Sequence, residues 1–127
     1  MSIITDIRDQ ITAASTWPAG ALVLYPEAPE NQSPPFAVLY LEQRRAERIA
    51  EGAKPLRFYD GYITIHAEMS VAALETLADG IVEHLEDAET GQRFFDVRAD
   101  AASDPSINET GEEVRTINVN FTTGMRG

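Results

Sequence analysis

The sequence predicts a single α+β domain, in which a mostly antiparallel sheet of four to five strands carries two helices on one face. Three observations predict this fold. The chain has 127 residues, which is the usual size of one domain. The strand patterns are grouped apart from the helical patterns, in the order α-β-β-β-α-β-β. Within residues 58–87, a two-residue hydrophobic period changes to a helical period at Ser70.

The first helix is predicted to begin at Ser2 and to end at the Trp17–Gly20 segment. One of its faces is apolar and consists of Ile3 or Ile4, Ile7, Ile11 and Ala14. A short apolar strand, residues 21–25, follows and stops at Pro26. Residues 27–35 contain three prolines, which cannot donate to a strand ladder, so a loop is predicted there.

A long β-hairpin arm is predicted at about residues 40–60. Its first strand runs from Phe36 to about Arg48, with an apolar first half and a charged second half. A turn around Gly52 would return the chain through Leu56 into a strand at 58–69. A strand that is buried at one end and exposed at the other indicates an arm that leaves the body of the domain.

The strand at 58–69 and the helix after it are predicted to share one core. Alternation places one set of side chains on the same side of the strand: Tyr59, Ile63, Ile65, Ala67 and Met69. The helix repeats its apolar residues along one stripe: Val71, Leu74, Leu77, Ala78, Ile81 and Leu85. Ser70 lies where an N-cap hydroxyl accepts a hydrogen bond from a free backbone N–H.

The C-terminal part is predicted to hold two more strands. Thr90-Gly91 ends the second helix, and residues 94–98 form a strand. Residues 100–113 are predicted to be a mobile acidic loop. The last strand, 114–123, turns Ile117, Val119 and Phe121 inward, and residues 124–127 are predicted to be a short tail.

The charge of the chain is unevenly distributed. The net charge is −11, from 21 acidic and 10 basic residues, which argues against duplex DNA or an anionic membrane as a bound partner. Residues 42–57 contain five cations and three acids, which give this window a net charge of +2. The rest of the chain therefore has a net charge of −13. Oppositely charged surfaces suit self-assembly or an asymmetric partner. The alternative is a solvated hairpin with internal ion pairs. The candidate interface residues are Arg44, Arg45, Arg48, Lys54 and Arg57.

Catalytic and metal-binding motifs are nearly absent. The chain has no cysteine, so it has no disulfide, thiolate zinc site or cysteine nucleophile. His66, Asp60 and Glu68 alternate on one strand face and could ligate a divalent metal. An ordinary polar strand face is the favoured explanation, because alternation alone produces such triplets and no second histidine is nearby. No nucleophile elbow or glycine-rich phosphate motif occurs. We therefore expect no catalytic, cofactor-binding or metal residue and no enzyme activity. Because no secretory signal is seen at the N-terminus, we expect a soluble, cytoplasmic product.

The order of these features resembles the tail-terminator or tail-completion proteins of long-tailed bacteriophages, the lambda minor tail protein U class. The resemblance covers nearly all of the chain and is carried by the succession of four patterns. The first is a strand that ends in Tyr25-Pro26-Glu27, and the second is a strand that begins at Pro34-Pro35-Phe36 and becomes charged at Gln43-Arg44-Arg45. The third is the strand from Tyr62 to Met69, which leads through Ser70 into a helix. The fourth is the alternating final strand from Arg115 to Phe121.

The resemblance implies a homohexameric ring that caps the head-proximal end of a tail tube. Such a ring ends tube polymerisation and presents a joining surface to the head. Its implied partners are the major tail tube protein and the head-completion or stopper protein, while genome DNA passes through the ring without specific binding. The implied location is the virion neck, and the host cytoplasm during assembly. The alternatives are a head–tail connector or stopper, or less favourably a small α+β enzyme or ligand-binding module.

Overall fold

The computed structural model describes residues 3–29, 32–47, 56–87, 93–107, 111 and 113–126, with the backbone alone for 43–47, 56, 125 and 126. Its elements in chain order are α1 Ile3–Thr12, β1 Leu22–Leu24, β2 Phe36–Glu47, β3 Leu56–Ala67, α2 Val71–Glu86, β4 Phe94–Ala99, β5 Ser106–Ile107 and β6 Glu113–Arg126. The predicted α+β class is confirmed. The sheet has six strands rather than four or five, because β5 was not predicted.

The sheet is mostly but not entirely antiparallel. Its strand order is β1-β2-β3-β6-β4, with β5 paired to β6. Strand β1 runs parallel to β2, with Leu22 opposite Phe36, and every other pair described is antiparallel. The long hairpin of β2 and β3 is confirmed, since its ladder extends from the Phe36–His66 pair to the Glu47–Leu56 pair. The predicted turn around Gly52 lies outside the described residues.

Both helices pack against the same face of the sheet. The core cluster joins apolar residues of α1 and α2 to the inward residues of β2, β3 and β6, which include Leu39, Ile63 and Val119 at 0% exposure. The predicted inward set of β6 is confirmed, with Ile117, Val119 and Phe121 buried. Burial of these side chains supplies the main free energy that holds the layers together. None of the helices described has the length and apolarity to cross a membrane.

The change from strand to helix at Ser70 is confirmed in detail. Ser70 has extended backbone angles, and its hydroxyl accepts a hydrogen bond from the Ala73 N–H at 3.2 Å. The Ser70 carbonyl accepts the first helical bond from Leu74 N–H at 3.0 Å. Helix α2 ends at Glu86, where the Asp87 N–H donates to the Glu83 carbonyl. The predicted stop at Thr90-Gly91 lies outside the described residues.

The predicted tail at 124–127 is wrong for its described part, because β6 continues to Arg126. Gly124 lies opposite Phe58, and Arg126 lies opposite Leu56. The charged end of the hairpin is therefore a three-stranded extension of the sheet and not a separate two-stranded arm. Pairing with β6 satisfies the outer backbone groups of β3, which would otherwise form an open edge.

The predicted loop at 100–113 is confirmed for residues 100–105 and 111, which lie in no helix or strand, and it is wrong at 106, 107 and 113. Ser106 and Ile107 form β5, opposite Val114 and Glu113 of β6. Before this strand, the Asp100 N–H donates to Asn118 O at 2.9 Å and the Ser103 N–H donates to Thr116 O at 2.8 Å. The Asp100 and Ser103 N–H groups and strand β5 are therefore hydrogen-bonded to β6, which the local composition did not reveal.

Candidate functional site

The face of the sheet opposite the helices carries a continuous set of polar and aromatic side chains. Successive residues of a strand point to opposite faces, so the residues between the core positions share this second face. Register places them in cross-strand rows, which are Phe36 with His66 and Thr116, Val38 with Thr64 and Asn118, Tyr40 with Tyr62 and Asn120, and Glu42 with Asp60 and Thr122. We call this surface the open face.

Two aromatic stacks stiffen the open face. The rings of Tyr40 and Tyr62 lie 5.2 Å apart at an interplanar angle of 3°, and Tyr40 remains 58% exposed. The Phe36 ring stacks on the His66 imidazole at 4.6 Å and 7°, and Phe36 is buried. Cross-strand aromatic pairs of this kind stabilise a sheet and hold both rings in fixed positions.

A cleft of about 470 Å³ lies beside the tyrosine stack. The side chains that give it chemical character are Tyr40, Tyr62, Glu42, Asp60, Asp96 and Arg98. The described lining residues supply three carboxylates and one guanidinium, a formal charge of −2. Four of the strands contribute to its lining, so its residues are far apart in sequence. The arrangement presents two aromatic rings next to negative charge and suits a cationic side chain.

An irregularity in β4 places Asp96 in the cleft. Phe95 lies opposite Thr122 and Arg98 lies opposite Asn120, so β4 holds one more residue than β6 between these pairs. Asp96 adopts φ 51°, a left-handed conformation that aspartate tolerates better than most side chains. A bulge of this type redirects a side chain and bends the strand. Asp96 and Arg98 consequently line the same cleft.

Cross-strand hydrogen bonds and a glycine order the open face in and beside the cleft. Thr122 Oγ1 donates to Asp60 Oδ1 at 2.9 Å, and Thr64 Oγ1 donates to Asn118 Oδ1 at 2.7 Å. A Cβ at Gly61 would come within 2.7 Å of the Tyr40 carbonyl oxygen and 2.9 Å of the Phe121 ring. Only glycine permits this close approach of β3 to its neighbours.

The metal hypothesis for Asp60, His66 and Glu68 is not supported by their positions. Asp60 and His66 are six residues apart on one strand, which separates their Cα atoms by about 20 Å. No group of three acidic or histidine side chains in the described parts of the chain is placed to hold a metal ion. Burial lowers the pKa of the His66 imidazole, and its ring packs on Phe36.

Three of the predicted cationic interface residues fall within the described part of the hairpin. Arg44 and Arg45 belong to β2, where the register shifts between Gln43 and Arg45, and only their backbone is described. Arg57 is exposed in β3, opposite Ala46 and Met125. Arg48 and Lys54 lie outside the described residues, so the cationic interface stays a prediction.

Sequence reasoning missed the cleft. Alternation placed Asp60 and His66 on the polar face of β3, and the same period puts Tyr62 there. The pairing of Tyr62 with Tyr40 depends on the hairpin register, and the position of Asp96 depends on the β4 bulge. Neither is encoded in a local pattern. An aromatic residue at an outward strand position was the one local signal that pointed to this surface.

Comparison with known proteins identifies the fold by structure and not by sequence. No family model matches the chain, and neither does any curated protein. Among solved structures, the fold is similar to that of a chain in the virion of a native gene transfer agent particle. The two chains share a TM-score of 0.60 at 14% sequence identity, over 99% of this chain and 96% of the other. The two chains therefore share one fold from end to end.

Proposed function

We propose that this protein is a structural component of a phage-like virion that caps the head-proximal end of the tail tube as a ring. In this role it ends tube polymerisation and provides the surface to which the head joins. The observation that carries the proposal is the end-to-end fold similarity to a chain of a gene transfer agent virion. That similarity supports a virion component. The more specific role as a cap of the tail tube is supported by the resemblance of the sequence to tail terminators, which covers nearly the whole chain.

The charge distribution supports assembly into a ring. A closed ring uses one head-to-tail contact repeatedly, so each subunit needs two different surfaces that fit each other. The candidate cationic residues Arg44, Arg45, Arg48, Lys54 and Arg57 supply one, and the acidic remainder supplies the other. A six-fold ring carries a formal charge of about −66, which favours contacts that pair opposite charges. An acidic lumen would also let DNA pass without sticking.

A head–tail connector or stopper in the same virion neck is the alternative within the same structural class. It would share the fold similarity and the charge pattern, and it would differ in its partners. The two roles predict different defects. Without a terminator the tubes grow past their normal length, whereas without a connector the tubes are of normal length and only fail to join heads.

The proposal is tested by restoring head joining with purified protein. Particles assembled without this chain should separate into heads and free tubes, and adding the purified protein should join them. The variant Arg44→Glu with Arg45→Glu should fail to join them while keeping the same unfolding midpoint. A control that adds the same negative charge elsewhere changes four exposed helical positions to Glu, namely Thr12, Ala72, Ala73 and Thr76.

Two results would count against this account. If heads and tubes join normally in the absence of the chain, the protein is not part of the neck. If the reversed variant restores joining as well as the wild type does, the cationic residues are not the contact surface. Loss of joining in the control as well would mean that total charge, and not the position of the arginines, governs assembly.

A further inference from the structure

We propose that the cleft on the open face receives the cationic segment of a second copy of this chain. The cationic segment is residues 44–57, whose five cations and two acids give a net charge of +3. This inference rests on the proposed ring and names the acidic surface that the ring contact would use. The contact is head-to-tail, since the segment of one copy occupies the cleft of the next.

The cleft has the chemistry of a receptor for arginine or lysine. Among the described residues that line it, Glu42, Asp60 and Asp96 are acidic and Arg98 is basic. The stacked rings of Tyr40 and Tyr62 form part of the same lining. A guanidinium group stacks on an aromatic face and pairs with carboxylates at the same time, so these groups act together on one ligand.

The exposed aromatic surface near the cleft also indicates a contact site. Tyr40 is 58% exposed and Phe95 is 50% exposed, although the core on the other face of the sheet is closely filled. Phe95 lies opposite Thr122, beside the acidic end of the cleft. Aromatic residues at the centre of a patch with a charged rim are typical of the residues that dominate binding energy in protein interfaces.

Charge complementarity identifies the partner as another copy. Half of the cations of this chain lie in the cationic segment, and outside it the chain carries a formal charge of −14. Two copies repel each other in most orientations, and the segment-to-cleft orientation is one that brings opposite charges together. Complementary charge of this kind selects the orientation of a contact and speeds its formation.

The geometry of the hairpin favours a contact between copies over one within a copy. Strand β2 remains paired with β3 from Tyr40 to Glu47, with one register shift between Gln43 and Arg45, so its charged end extends along the ladder beyond the tyrosine stack. The backbone of Arg45 lies about 15 Å beyond Tyr40 at the usual rise per residue. Held in this ladder, the backbone at the described start of the cationic segment extends away from its own tyrosine stack.

Cross-linking tests the contact directly, because the chain has no cysteine and any introduced thiol is unique. One preparation carries Asn120→Cys in the cleft, and a second, distinguished by a mass tag, carries Lys54→Cys in the cationic segment. After mixing and treatment with a short bifunctional maleimide, we expect the mixed covalent dimer. The matched control replaces Asn120→Cys with Glu75→Cys, an exposed position on α2. We expect the control to give at least tenfold less mixed dimer, an order-of-magnitude margin for an oriented charged contact.

A charge swap then tests whether charge holds the contact. Changing Glu42→Lys and Asp96→Asn in the cleft should abolish the mixed dimer, and asparagine tolerates the left-handed conformation of position 96. The preparation that carries Lys54→Cys is then given Arg44→Glu and Arg45→Glu as well. Mixed with the altered cleft, it should restore the yield of the mixed dimer. An equal yield from the control, a yield unaffected by the altered cleft, or no dimer in any mixture would overturn the inference.

The same experiments separate this inference from the proposed function. If the protein joins heads to tubes but the cleft and the segment do not cross-link, the ring uses another seam and only the inference is wrong. If the cross-link forms as predicted but heads and tubes join without the protein, the self-contact is real and the proposed virion role is wrong.

Discussion

At the scale of single residues, a close contact between Gly80 and Thr16 holds α2 against the chain that follows α1. A Cβ at Gly80 would come within 2.9 Å of Thr16 Cβ and closer still to Cγ2 and Oγ1. Thr16 is held in place, since its hydroxyl donates to the Leu77 carbonyl at 3.1 Å. The glycine that weakens the helix therefore permits a packing contact that alanine would prevent.

We predict that Gly80→Ala destabilises the protein by about 1–3 kcal/mol, as overpacking commonly does. Without the contact, the same change in a helix interior would stabilise it by about 1 kcal/mol. The free energy of unfolding from urea denaturation measures the effect. In a Thr16→Ala background the cost should shrink markedly, and an equal cost in both backgrounds would show that Thr16 is not the cause.

His66 is expected to make stability depend on pH. Burial lowers the pKa of His66 in the folded protein below its ordinary value of 6.5. The unfolded chain therefore binds a proton at a higher pH than the folded chain, so stability is complete above pH 6.5 and falls as pH drops toward the folded-state pKa. One such group contributes a slope of at most about 1.4 kcal/mol per pH unit.

The variant His66→Phe keeps an aromatic ring against Phe36 and removes the titration. We expect its free energy of unfolding to vary less than that of the wild type in the pH range just below 6.5. Denaturant unfolding at several pH values measures the difference. Identical pH profiles for the two proteins would show that the burial of His66 has no consequence for stability.

At the scale of elements, long and regular segments were predictable and short or irregular ones were not. The Ser70 cap, the apolar stripe of α2 and the alternation in β3 and β6 are local patterns. The structure confirms them except at Val71, the first residue of the predicted stripe, which is 42% exposed. Strand β5 has two residues, which is too short to show a period. The continuation of β6 through Gly124 is stabilised by pairing with β3, and residue preference alone did not reveal it.

The start of α2 depends on one hydroxyl. We predict that Ser70→Ala lowers the free energy of unfolding by about 1 kcal/mol, because the Ala73 N–H loses its acceptor. Ser70→Asp retains an acceptor at the same position and should be close to the wild type. Thermal or urea unfolding of the three proteins compares them, and a loss of stability in the aspartate variant equal to that of alanine would contradict the capping role.

Removing residues 124–127 tests the three-stranded extension. We expect the domain to stay folded, since the core residues precede this segment, while the β3 amides at 56–58 exchange hydrogen faster. Amides near Ile65 serve as the internal control and should keep their protection. Hydrogen exchange measured residue by residue gives the result, and unchanged protection at 56–58 would mean that β6 does not support the hairpin.

At the scale of the whole molecule, the sequence allowed prediction of the fold class and of the cationic segment, residues 44–57. It did not allow prediction of the cleft. The cations are close together in sequence, so composition alone finds them. The cleft combines side chains of β2, β3, β4 and β6, and it exists only once register and the bulge at Asp96 are set. A surface made from four strands has no local sequence pattern, because neighbours in space are distant in the chain.

We propose that this chain ends the growth of a tail tube, and the length of tubes made without it tests this proposal most directly. Electron micrographs of particles assembled with and without the chain give the two length distributions. The account predicts one sharp length with the protein, and without it a broad distribution that extends to much longer tubes. Tubes of the same sharp length in both samples would contradict it.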